Sequence, residues 1–147
     1  MHNSPNCAAT TSSAKVIVGL DTDFFKHFLE GDSTALNVWH QARLGESRLV
    51  ISCLTLFELQ RLGFRGAVPL DKVTHLLTYL PNACEVVWLS QENRHLLETS
   101  ARLAHGNGLA MADALILSSL IYASADRVYT TDEDMFRYKA GPEMTKL

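Results

Sequence analysis

The sequence predicts an α/β layer protein built on a mainly parallel sheet of four or five strands flanked by helices. Three observations lead there. Short runs rich in Val and Ile alternate with longer segments of helical periodicity. Glycines and capping residues punctuate the boundaries between them. The chain has 147 residues, of which 47% are hydrophobic, enough for one domain with a substantial core.

Taken in order, Lys15 to Leu20 reads as a buried strand. Thr22 to Glu30 carries Phe25, Phe28 and Leu29 at helical spacing, with Gly31 as the stop. Ser33 to Leu44 gives a second helix, ended by Gly45, and Arg48 to Ser52 a second strand. A helix follows over Leu54 to Leu62. Asp71 is placed to cap a helix bearing Val73, Leu76, Leu77 and Leu80, closed by Pro81. Glu85 to Leu89 is the third strand. Ser90 is placed to cap a longer helix that breaks at Gly106-Asn107-Gly108. Leu109 to Ala123 is a strongly apolar helix, Arg127 to Thr130 a fourth strand, and Met144 to Leu147 a short fifth. There is no internal repeat and no linker, so residues 15–147 are expected to form a single domain. Residues 1–14, MHNSPNCAATTSSA, are expected to be a disordered tail without a function of their own.

Composition removes several classes. No apolar run reaches the roughly 18 residues of a membrane span, and the N-terminal segment lacks the basic start and apolar middle of a secretion signal. A cytoplasmic protein is expected. Cys7, Cys53 and Cys84 are odd in number and form no C-x-x-C pair, which leaves free thiols rather than a zinc site or disulfide framework. The six histidines never fall three or four residues apart, so a helical histidine metal pair is absent. Thirteen basic residues against sixteen acidic ones argue against a strongly cationic nucleic-acid binder, but allow a local acidic site.

Carboxylates stand where the surrounding pattern asks for apolar residues. In VIVGLDTDFF, Asp21 closes the first strand, with Asp23 two residues on. In LTLFELQRL, Glu58 has Leu54 one turn before it and Leu62 one turn after. In LAMADALILSSL, Asp113 lies between Leu109 and Ala110 on one side and Ile116 and Leu117 on the other. Asp132 follows the fourth strand in VYTTDEDM, with Asp134 behind it. Each has an ordinary alternative: Asp21 as a helix cap, Asp132 or Asp134 as a turn residue, Glu58 paired with Arg61. Asp113 has the weakest, since no basic residue lies within four positions of it. Parallel sheets bind ligands beyond the carboxyl ends of their strands, where the strand order reverses. Were these acids to meet there, each pair at 4 Å would repel by about 4 kcal/mol at an effective dielectric near 20. Oxygen-only clusters suit hard cations such as Mg²⁺ or Mn²⁺ better than zinc.

The succession LDTDFF, ISCLTLFEL, MADALI and VYTTDEDM resembles the PIN-domain ribonucleases and, in its small size, the VapC-like toxins of bacterial toxin–antitoxin pairs. The resemblance extends from Lys15 over nearly the whole chain. It implies a three-layer fold and metal-binding, catalytic acids at Asp21, Glu58, Asp113 and Asp132, with Asp134 as an additional metal residue or as a support to the ligands from behind. Thr130 or Thr131 would correspond to the family's hydroxyl residue, orienting a carboxylate or the attacking water. The chain departs from the family pattern at Met135, where an aromatic residue is common, and in its brief last strand. The implied chemistry is Mg²⁺- or Mn²⁺-dependent hydrolysis of single-stranded RNA, with an antitoxin protein as partner. Setting the four acids aside leaves twelve acids against thirteen bases, so the remaining surface is about neutral. Arg43, Arg48, Arg61, Arg65, Arg94 and Arg102 are candidates for backbone contacts.

Three rival readings have distinct marks. LDTD also fits a haloacid-dehalogenase-type phosphatase, whose first aspartate is a nucleophile. That family expects a Thr two positions after the second Asp, where Phe25 stands, and a later catalytic Lys, whereas none lies between Lys72 and Lys139. A stand-alone PIN nuclease would lack the antitoxin, and a non-catalytic binding module would keep the fold without the chemistry. Large apolar residues on the helix from Asp71 to Leu80 and on the Phe-rich first helix suggest a homodimer.

Overall fold

The computed structural model describes residues 15–147; the tail expected over residues 1–14 lies outside them. Strands β1 (Val16–Leu20), β2 (Ser47–Ser52), β3 (Glu85–Val87), β4 (Arg127–Thr130) and β5 (Glu143–Lys146) form one sheet in the order β3-β2-β1-β4-β5. Every pairing is parallel. The expected mainly parallel sheet is thus wholly parallel, and the short last strand does pair at its edge. Chain order reverses between β1 and β4, which opens a crevice at their carboxyl ends.

Among the described residues six α-helices cover the two faces: α1 (Thr22–Leu29), α2 (Ser33–Arg43), α3 (Cys53–Phe64), α4 (Leu70–Ala83), α5 (His95–Asn107) and α6 (Met111–Tyr122). Strand alternation assigns the faces. Val18, Leu20, Leu49 and Ile51 pack into a core with Phe24, Phe25, Val38, Leu59, Val73 and Leu76 of α1–α4. Val50 and Val128 instead meet Ile116 and Leu120 of α6. Helix α5 closes over the far side of α6 through Leu103 and Leu117. The result is three layers with α6 buried on all sides, Ala114 to Leu120 without a break.

That burial explains why α6 shows no polar stripe. Its two serines satisfy themselves internally: Ser118 Oγ donates to the Ala114 carbonyl at 2.8 Å and accepts from Ser100 Oγ at 2.9 Å, and Ser119 Oγ donates to the Leu115 carbonyl at 2.8 Å. Gly19 lets α6 approach β1. A Cβ there would stand 3.0 Å from Leu120 Cδ1 and 3.1 Å from Val128 Cγ2.

The boundaries correct three expectations. Pro69, not Asp71, occupies the cap position of α4, and Asp71 sits in the first turn, where its charge favours the helix dipole. Pro81 lies inside α4 rather than ending it; in the last turn it forfeits only one helical bond, and Cys84 N still donates to the Leu80 carbonyl at 2.9 Å. Ser90 does not cap α5, which begins at His95. Asn93 draws residues 90–93 into a turn by accepting from Ser90 N at 2.8 Å. At the other end Gly108, at φ 66°, takes the left-handed position that terminates α5. Among the described residues no helix is long and apolar enough to cross a membrane. Cys53 and Cys84 are free thiols.

Candidate metal centre

Asp21 is the first residue beyond β1, so the sheet itself delivers it to the crevice. Its carboxylate also caps α1, with Oδ1 accepting from Phe24 N at 2.9 Å. The ordinary cap reading and the site reading therefore describe the same side chain. Glu58 arrives from the middle of α3. Asp113 comes from the first turn of α6, whose amino end lies at the carboxyl edge of the sheet because the helix runs antiparallel to β4. Asp132 follows β4. All four line one cavity of about 170 Å³, together with Thr22, Asp23, Arg61, Leu62, Arg65, Ile116 and Met135.

Hydroxyl groups hold the carboxylates. Thr22 Oγ1 donates to Glu58 Oε1 at 2.6 Å, and Thr131 Oγ1 donates to Asp23 Oδ2 at 2.7 Å. The fully buried Thr130 accepts from Asp132 N at 2.9 Å while its hydroxyl favours the ionised form of Asp21. Both threonines singled out in the sequence thus stand beside acids of the cavity.

Electrostatic strain is concentrated here. Burial pushes the Asp21 carboxyl up to about 7; the Thr130 hydroxyl and Phe24 N–H oppose this, and the charges of Asp23 and Asp132 add to it. Asp113 is raised to about 6, first by burial, then by the charge of Asp132 and a hydrogen bond with it, then by Glu58 and Asp23. Five carboxylates on one small cavity need a counter-charge.

The structure adds to and trims the expected residue set. Asp23 joins the cavity although only its neighbour Asp21 was assigned to the site; the Asp-x-Asp spacing was its signal. Thr22 had none. Asp134 is not on the cavity: it turns to Arg137, with an ion pair at 2.8 Å. The reason is local, because residues 135–137 form a 3-10 turn that sets Asp134 and Arg137 three residues apart on one side. Nor does Glu58 pair with Arg61; Thr22 takes its place.

The donor set matches a hard divalent cation, being all oxygen, anionic and lodged in space sufficient for an ion and water. Among the described residues no three of these side chains already close on a common point at ligand distance. Asp113 is hydrogen-bonded to Asp132 and Glu58 to Thr22, so bringing these acids together round one ion requires side-chain rotation.

A wholly parallel α/β sheet whose reversal point gathers five acids defines the class: a doubly wound protein with an acidic crevice at its carboxyl edge. Within that class the chain belongs to the PIN-domain family, whose model matches residues 18–141. Solved structures agree in fold. One is VapBC2 from Rickettsia felis bound to a DNA fragment from its promoter, with a TM-score of 0.69 at 18% identity, covering 90% of this chain and 99% of that one. DNA-bound VapBC from Salmonella typhimurium gives 0.64 at 20% identity, covering 89% and 98%. A toxin–antitoxin complex from Klebsiella pneumoniae gives 0.57 at 17% identity, covering 80% and 89%. At these identities the likeness concerns the fold. Comparison with curated protein sequences finds no match.

Proposed function

We propose that this protein is a metal-dependent endoribonuclease and the toxin of a type II toxin–antitoxin pair, acting in the cytoplasm on single-stranded RNA. The observation that carries this reading is the meeting of Asp21, Asp23, Glu58, Asp113 and Asp132 on one cavity at the reversal point of a PIN-domain sheet. The family consists generally of nucleases, and a toxin–antitoxin complex is among the structures that share the fold.

In this reading Asp21, Glu58, Asp113 and Asp132 are the catalytic acids, and with Asp23 they hold Mg²⁺ or Mn²⁺. The Asp134 carboxylate is not among the ligands in this reading, being committed to Arg137, but its backbone N–H donates to Asp132 Oδ1 at 2.9 Å and helps orient that acid. A divalent cation bound there supplies Lewis acidity toward the phosphate and activation of the attacking water. The chain's residues do the rest. Thr22, Thr130 and Thr131 fix the orientation of Glu58, Asp21 and Asp23. Ile116, Leu62 and Met135 form the apolar wall that limits water to one side. An antitoxin peptide carrying Arg or Lys into the acidic crevice would block substrate and metal alike.

The test incubates wild type and Asp113→Asn with a mixed RNA pool in Mg²⁺, in Mn²⁺ and with chelator. Wild type should cleave only with metal, and the variant should lose at least 100-fold in rate while keeping its circular dichroism spectrum. Cleavage unaffected by chelator would sink the metal reading; unchanged cleavage by the variant would sink the site. No cleavage under any condition would favour the non-catalytic binding module, and the absence of a small upstream gene a stand-alone nuclease.

A further inference from the structure

Six arginines are candidate phosphate contacts by sequence, and the fold sorts them. Arg48 is paired with Glu85 at 2.7 Å and Arg102 with Glu98 at 2.8 Å. Arg43 lies in a groove between α2 and α4, and Arg94 stands at the start of α5, away from the acids. Arg61 and Arg65 are different. Both line the acidic cavity, and among the described residues neither forms an ion pair.

Their placement on α3, which Arg65 caps at its C-terminus with helical backbone angles, is graded. At 3.6 residues per turn, Arg65 lies about 20° round the helix from Glu58 and Arg61 about 60°. Phe57 and Phe64 follow on the same side, at about 100° and 120°. Leu59, on the opposite side of Glu58, is fully buried, whereas Phe57 and Phe64 are 63% and 73% exposed. Moving outward from the cavity, the helix therefore presents a carboxylate, then two guanidiniums, then two bare aromatic rings. Cationic groups that neutralise backbone phosphates beside rings that stack on bases are the two components of single-strand nucleic-acid binding.

We infer that the outer face of α3 is the substrate track, with Arg61 and Arg65 as positioning residues that grip phosphates next to the scissile one, and Phe57 and Phe64 as stacking platforms for the adjoining bases. This rests on the proposed ribonuclease reading. A guanidinium offers a planar fork to a phosphate's oxygens. Unpaired guanidiniums beside five carboxylates balance the field at the mouth, so that a polyanion can enter. The track runs along one helix, so it fixes which flanking nucleotide lies over which residue.

The test uses full-length protein carrying Asp113→Asn, a single-stranded RNA oligonucleotide and fluorescence anisotropy over a range of KCl with Mn²⁺ present. Added Arg61→Gln and Arg65→Gln together should weaken binding at least tenfold and make the slope of log K against log salt shallower by about 1.4, the loss of two single-strand phosphate contacts. Arg102→Gln should change neither. In the active background the two substitutions should raise KM far more than they lower kcat, and Lys at both positions should restore most of the salt slope. Phe57→Leu with Phe64→Leu should cost about fivefold or more in affinity at an unchanged slope. A wild-type salt slope in the arginine variant, with cleavage by wild type intact, overturns the arginine assignment alone. Unchanged affinity of the phenylalanine variant, with a fall in mass by light scattering, makes the rings a self-association surface and overturns the stacking assignment. RNA that wild type neither binds nor cleaves removes the ribonuclease reading itself and this inference with it.

Discussion

At the scale of single residues, Asp21 carries the sharpest conflict. It is 3% exposed, caps α1 and is pushed up to about 7, against an ordinary value of 3.8. The folded protein therefore holds the proton more tightly than the unfolded chain. Stability from this group is fully present below pH 4 and lost as pH rises through 7, by an order of 4 kcal/mol. Metal-free protein should melt lower at pH 8 than at pH 5, and Mn²⁺ should stabilise it more at pH 8, where cation and proton no longer compete. Asp21→Asn keeps a good cap, so without metal at pH 8 it should melt above wild type, and Mn²⁺ should raise its melting temperature less. A variant that melts no higher by differential scanning calorimetry would refute the charge strain. Asp113 was legible as a charge in an apolar helix; Asp23 was less so, because two aspartates two residues apart in a helix start look like cap and first turn. For Asp134 the sequence offers both a turn residue and a metal residue; the turn prevails for its side chain, which meets Arg137, while its N–H reaches Asp132.

Among the elements, β1 and α6 bear most directly on the site, since they carry Asp21 and Asp113. They meet at Gly19, where added side-chain atoms would press on Leu120 and Val128, both fully buried. Gly19→Val should destabilise by about 1–3 kcal/mol in urea unfolding. Through the shift of β1 it should also weaken Mn²⁺ binding measured by calorimetry. If stability is unchanged, the two elements are less closely packed than described. The strands and α-helices were readable from their period and length, or for α6 from the length of its apolar run, whereas the 3-10 turn at Met135–Arg137 was not. The ends were not, where side chains compete: Asn93 claims the turn that Ser90 alone would have opened as a helix, and Pro81 is harmless in a last turn.

For the whole molecule, most of the Phe-rich first helix turns inward, and only Phe28 and Leu29 reach a surface groove. Phe24 and Phe25 are fully buried, and Phe28 stacks on Phe24 at a centroid distance of 6.3 Å. What α4 leaves open is an apolar groove of about 590 Å³ lined by Phe28, Leu29, Trp39, Leu76 and Tyr79. A homodimer of the kind the sequence suggests would bury this groove, with Tyr79, at 53% exposed, as its anchor. Light scattering should then give twice the chain mass of 16.3 kDa, and Tyr79→Glu should return it to one. A wild-type monomer at tens of micromolar would dispose of that interface.

The sequence by itself determined the layer architecture and marked Asp21, Glu58, Asp113 and Asp132 as acids out of pattern, because strand and helix periods are local and a charge in an apolar stripe is visible wherever it stands. Only the tertiary structure decided that these acids share a cavity with Asp23, which hydroxyls hold them, and which two arginines stand at its mouth. Convergence depends on the order in which strands pair, and pairing between distant segments leaves no trace in any one of them.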